Sequence, residues 1–156
     1  MDRSLSFCIG HLGQTGVFAV CYLWLYVTGD KIDHDTLTRA FEEWDPATVN
    51  KGEMCVTVIG EKTVGSHIAR RDSWSAFREL SEDNYADDFS AAVNEIFKNA
   101  DLLRSVMRDN EVELWISAYS DGSSADFRHS ADSMKKLAEI GLDLNIHITD
   151  ISPFTD

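Results

Sequence analysis

The sequence predicts an α+β domain: about five strands in a mostly antiparallel or mixed sheet, with three helices packed on one face. Three observations lead there. The run VFAVCYLWLYV, Val17 to Val27, is eleven apolar residues without a break. Segments of helical spacing and of strict alternation then follow one another along the chain. A length of 156 residues with 44% hydrophobic side chains suffices for one core.

The opening run is core rather than a membrane segment. As a helix it would rise only about 16 Å against a hydrocarbon layer of about 30 Å. A secretory signal needs a basic start and a small-residue cleavage site, whereas the chain begins MDRSL and the run ends in TGDKID. Aromatic and β-branched residues fill it and Thr28-Gly29-Asp30 punctuates its end, as in a strand. Both parities are apolar, so both faces should be covered, which places the strand at the centre of the sheet. Residues 1–16 precede it as an extra strand or arm.

Asp33 or Asp35 can cap a helix through TLTRAFEEW, where Leu37, Ala40, Phe41 and Trp44 recur at helical spacing until Asp45-Pro46 ends it. EMCVTVIG reads as a second strand, and VGSHIARRDSW as a weaker third strand or an extended arm. From Asp83, the residues Tyr85, Phe89, Ala92, Val93, Ile96 and Phe97 form a wide helical stripe that continues through Leu102, Leu103, Val106 and Met107. In EVELWISAY, Val112, Leu114, Ile116 and Ala118 face one way, and Glu111, Glu113, Trp115, Ser117 and Tyr119 the other. Ser130 can cap a short helix with Met134, Leu137 and Ala138 as its stripe, and Gly141 sits where a left-handed stop belongs. Leu142, Leu144, Ile146 and Ile148 then alternate with Asp143, Asn145, His147 and Thr149 as a last strand.

No linker or low-complexity tract divides the chain, so residues 1–156 form a single domain. The cysteines, Cys8, Cys21 and Cys55, are odd in number and widely spaced. Reduced, buried thiols and a cytoplasmic location are the expectation.

A family resemblance rests on GDKIDHDTLTRAFEEWDPATVNKGE, through Gly29, Asp30, Asp33, Leu37, Thr38, Pro46, Lys51 and Gly52. The Ser73-Trp74 pair before a long helix and the closing LAEIGLDLNIHITDIS add to it. Over roughly residues 17 to 152 the chain resembles a bacterial family catalogued as domain of unknown function 4279. Here His147 and Thr149 replace a more acidic, aromatic ending. The resemblance implies a fold more than an activity.

Residues that could carry chemistry are few. No G-x-S-x-G elbow, P-loop or H-E-x-x-H is present, and the five histidines share no metal-ligand spacing. A Ca²⁺ loop counted from Asp30 would need a glycine and a glutamate where Asp35 and Phe41 stand, so Asp30, Asp33 and Asp35 read as turn and cap. Asp121 and Asp126 flank a glycine-containing loop and could form an acid/base pair, but nothing else in the sequence supports one and a polar turn is the favoured reading. No catalytic residue, cofactor or metal is expected.

Charge is the distinctive feature, with a formal net value of -13. Glu79 to Glu95 holds six acidic residues and no lysine or arginine, and Asp30 to Asp45 six more against two basic ones. Such an exterior serves solubility, or it steers a basic partner and repels nucleic acid. The chain therefore reads as a non-enzymatic cytoplasmic inhibitor, resembling in general character an immunity protein that neutralises a cognate basic toxin, such as a nuclease. It would use Glu42, Glu43, Asp45, Glu82, Asp83, Asp87 and Asp88, with Trp115 and Tyr119 as anchors. Neither nucleic acid nor membrane is an expected partner. The alternative is a small-ligand binder or enzyme whose site lies on the sheet's polar face around Trp115, Tyr119 and His147, rimmed by SDGSSADFRH.

Overall fold

In the strand β1 (Val20–Gly29), side chains are sorted by kind as well as by parity. Cys21, Leu23, Leu25 and Val27 point one way; Tyr22, Trp24, Tyr26 and Thr28 point the other. The computed structural model, which describes residues 20–59, 62–120 and 127–150, builds the molecule around this strand. The elements that follow are α1 (His34–Ala40), β2 (Asp45–Val49), β3 (Met54–Ile59), β4 (Lys62–Ile68), β5 (Asp72–Glu79), α2 (Tyr85–Lys98), α3 (Ala100–Val106), β6 (Glu111–Ser120), α4 (Ala131–Ile140) and β7 (Leu144–Asp150).

The fold is α+β, with a five-stranded mixed sheet in the order β2-β5-β1-β6-β7 and a separate two-stranded sheet of β3 and β4. β1 is central, pairing antiparallel with β5 and β6. β2 lies antiparallel at one edge, and β7, reached through α4, runs parallel to β6 at the other. The aliphatic face of β1 continues in register into Leu114, Ile116 and Ala118 of β6 and into Trp74 and Ala76 of β5. All four helices close over that face: Leu37, Phe89, Ala92, Val93, Ile96, Leu103, Leu137 and Ile140 join the same buried cluster. Burying a side chain of this size contributes about 1.5–3 kcal/mol, and this cluster is the main cohesive element.

Several boundaries differ from the sequence reading, each for a local reason. There are four described helices rather than three because Asn99 breaks the long stripe: it is both C-cap of α2 and N-cap of α3, and its Nδ2 donates to the carbonyls of Glu95 and Ala40. α1 ends at Ala40 and not at Trp44; Phe41 to Trp44 turn tightly, and Asp45-Pro46 opens β2. Proline is tolerated there because β2 is an edge strand. The weak third strand resolves into two, β4 and β5, so Ser73-Trp74 lies inside a central strand. α4 is capped by Ser130 and stopped by Gly141 at φ 90°, as expected, but its inward row is Ser133, Leu137 and Ile140 while Met134 is 39% exposed. Ser133 faces Ser90 at 3.3 Å, and two small side chains let α4 sit close to α2. On β7, Ile146 and Ile148 keep the expected alternation yet stay about half exposed at the sheet edge.

A charged contact joins the helices to the sheet. Arg78 projects from β5 onto the helix side opposite Leu23 and pairs with Glu95 of α2, whose other oxygen accepts the Trp44 indole N–H at 2.5 Å. Glu95 thereby satisfies a buried tryptophan and a cation on the core side of the sheet.

A second junction depends on a missing side chain. A Cβ on Gly29 would lie 2.1 Å from Oδ1 of Asn110. That amide is held in place because its Nδ2 donates to the carbonyls of Lys31 and Val106. Gly29→Ala should therefore lower stability by about 1–3 kcal/mol in chemical denaturation, and by much less in an Asn110→Ala background. Equal losses in both backgrounds would show that the close approach is not what requires glycine.

Candidate functional site

The second face of the sheet is covered by none of the four described helices and, among the described residues, carries six aromatic side chains: Tyr22, Trp24 and Tyr26 from β1, Phe77 from β5, and Trp115 and Tyr119 from β6. Register brings them together, since Trp24 stands opposite both Phe77 and Trp115. Its ring lies 4.7 Å from Phe77 and stacks on Tyr26 at 5.4 Å, while Tyr22 meets Phe77 edge-on at 5.1 Å. Tyr22 and Trp24 are buried and form the floor; Tyr26, Phe77, Trp115 and Tyr119 are half-buried. Burial raises the phenol pKa of Tyr22, Tyr26 and Tyr119 above the usual range, so each hydroxyl keeps its proton at neutral pH and can donate.

Carboxylates border this aromatic field. Asp45 is opposite Phe77, Glu79 opposite Tyr22, Glu113 opposite Tyr26 and Glu111 opposite Thr28, and all four are exposed. On β7, Asn145 and His147 extend the same face beside Trp115 and Ser117. At the Thr28 end the β3–β4 hairpin departs from the sheet and leaves an open cleft of about 840 Å³.

The partner-binding residues expected from sequence fall in three places. Trp115, Tyr119 and Asp45 lie on the aromatic face. Glu82, Asp83, Asp87 and Asp88 gather at the N-terminal end of α2 on the helix side, and Glu42 and Glu43 lie near its other end, beside Glu95 and Lys98. A helix of 14 residues separates the last two groups by about 20 Å. Not all of this acid is free for a partner. The Asp88 carboxylate accepts from the hydroxyl and backbone N–H of Ser81, bonds that lower its pKa, and Glu95 is engaged by Arg78 and Trp44. Trp44 and Trp74 are both in the core.

Tyr22, Trp24, Tyr26 and Phe77 were not among the expected site residues. A signal for the first three lies in the alternation of aromatic with aliphatic residues along β1, which an unbroken apolar run disguises as uniform core. Phe77 carried none, because DSWSAFRE has no clear polarity pattern. Asp121, Asp126, Cys8, His11 and the extra strand or arm expected from residues 1–16 lie outside the described residues.

Other reactive groups are placed for structure. Burial pushes the Cys21 thiol up to about 12, so it is a poor nucleophile. Among the described residues no group of three or more His, Cys, Asp or Glu converges as metal ligands. No helix among them is long and apolar enough to cross a membrane. Comparison with protein-family models, with curated proteins and with solved structures gives no match to this chain, so the resemblance to the family of unknown function stands on the quoted residues alone.

On the helix side, His129 Nε2 and the Tyr85 hydroxyl are 2.7 Å apart, and the imidazole packs on Phe89 at 4.3 Å. Burial lowers the His129 pKa below its usual 6.5, so protonation favours the unfolded chain. Its contribution to stability is complete above pH 6.5 and is lost as pH falls from there through the depressed folded value. His129→Gln should flatten this limb of a stability–pH profile measured by urea unfolding; an unchanged slope would assign it to other groups.

Proposed function

We propose that this chain is a non-enzymatic binding protein that holds and neutralises a basic protein, in the manner of an immunity protein against its toxin, and that the aromatic face of the sheet is the contact surface. One observation carries the reading: half-buried aromatic residues outside the core, on a firm floor, with exposed carboxylates at their border. Large aromatic side chains lose little conformational freedom on binding and supply most of the affinity in protein interfaces. Carboxylates at a rim set the encounter rate and the choice of a basic partner more than the affinity. The two groups therefore have separable roles.

The acidic groups at the two ends of α2 lie across the sheet from Trp115 and Tyr119 and do not share that surface. They add to the long-range field of a chain with net charge -13. The partner fitting this chemistry is a basic toxin, and the protein encoded next to this gene is the first to examine. In a complex with it, Trp115→Ala and Tyr119→Ala should each cost about 1–2 kcal/mol, chiefly as faster dissociation. Charge reversal at Glu79 and Glu113 should slow association and reduce its salt dependence. Loss of binding on reversing Asp83 and Asp87, with the aromatic variants unchanged, would move the interface to the helix side and refute this assignment.

A further inference from the structure

We propose that the cleft between the β3–β4 hairpin and the end of the main sheet is a binding site for a small phosphate-bearing organic anion. It is independent of any protein partner. The hairpin leaves the sheet where Asn50 to Glu53 and Ala69 to Arg71 run side by side, fastened by Gly52 N–H to Ala69 C=O and Ala69 N–H to Glu53 C=O, both 2.8 Å. The Lys51 N–H also donates to Asp72 at 2.8 Å, which fixes the bend. Beneath it lie Thr28 and Ser73, register partners on the face opposite the helices. The volume, about 840 Å³, is that of a small-molecule site.

The chemistry of the walls selects the ligand. In a chain of net charge -13, Arg70, Arg71 and His67 together line this one cleft. Arg70 has no ion-pair partner among the described residues, and Arg71 is held by Glu111 at 3.3 Å. Two adjacent guanidinium forks match phosphate oxygens bidentately, and the Ser73 hydroxyl can donate to one that remains, while the Thr28 hydroxyl donates to Glu111 at 3.4 Å and becomes available when the ligand displaces that carboxylate. Val49, Ile68 and Ala69 offer an apolar wall for the organic part. Ile68, 61% exposed at the mouth, would be covered by it. Nucleic acid fits less well, because the carboxylates of Glu113, Asp45 and Glu79 border the same face beyond the cleft.

Glu111 makes the proposal testable in both directions. Its carboxylate competes with an incoming phosphate for Arg71, so removing that charge should strengthen binding while removing the free arginine weakens it. Pyrophosphate is the probe, titrated into the full chain by calorimetry at constant ionic strength. Saturable one-to-one binding is expected, about tenfold weaker in Arg70→Gln and several-fold tighter in Glu111→Gln. Both positions are exposed, and a thermal unfolding scan of each variant verifies folding. No saturation up to roughly 10 mM, equal affinity in wild type and both variants, or preference for a single-stranded oligonucleotide would overturn the proposal.

Discussion

The structure depends on a division within a single strand. β1 is central, paired on both sides, and every residue it sends to one face is aliphatic or a thiol while the other face receives two tyrosines, a tryptophan and a threonine. A one-residue slip against β5 or β6 would exchange the two sets, driving Trp24 into the helix layer and Leu25 into the aromatic field. Burial of Leu23, Leu25 and Val27 against the helices therefore fixes where the aromatic residues stand, and the candidate site is a consequence of the core's register. Gly29, at the end of the same strand, lets Asn110 approach and tie the start of β6 to the connection leading into α1.

Charge is distributed in the same two-sided way. On the helix side, part of the acid is structural: Glu95 holds Arg78 and the Trp44 indole, and Asp88 closes the turn before α2. Glu95 anchors α2 to the sheet, so its neutralisation would disturb the packing that supports the opposite face. On the aromatic side Asp45, Glu79 and Glu113 are exposed next to rings, where they can act on an approaching cation with little competition from the protein itself. The sign reverses at the hairpin, where Arg70 and Arg71 stand. One face of the sheet thus offers two chemically different environments along its length.

Much of the fold was legible because long periodic segments dominate it. The centrality of β1, the stripe of α2, the alternation of β6 and the Ser130 and Gly141 boundaries of α4 all follow from apolar spacing and capping. Short elements with contrary signals were not legible. β2 is five residues containing Pro46, and β5 carries Arg78 toward the helices because Glu95 awaits it, a pairing made across 17 residues that no local pattern encodes. The candidate site was half legible. Trp115 and Tyr119 stood out on an alternating strand, whereas Tyr22, Trp24 and Tyr26 were concealed in a run whose two apolar faces looked alike. Acidic residues could be counted from sequence, but only the folded chain divides them between the two sides of the sheet and commits some to internal bonds.

The proposed function requires the aromatic face, and not the helix side, to meet the partner. The four tryptophans are placed to report on it, with Trp24 and Trp115 on that face and Trp44 and Trp74 in the core beneath the helices. Fluorine NMR of the 5-fluorotryptophan-labelled chain, mixed with the protein encoded beside its gene, reads all four at once. On binding, the Trp115 resonance should shift or broaden, with a smaller effect at Trp24, while Trp44 and Trp74 hold their positions. Movement of Trp44, beside Glu42 and Glu43, with Trp115 unchanged would contradict the proposed function.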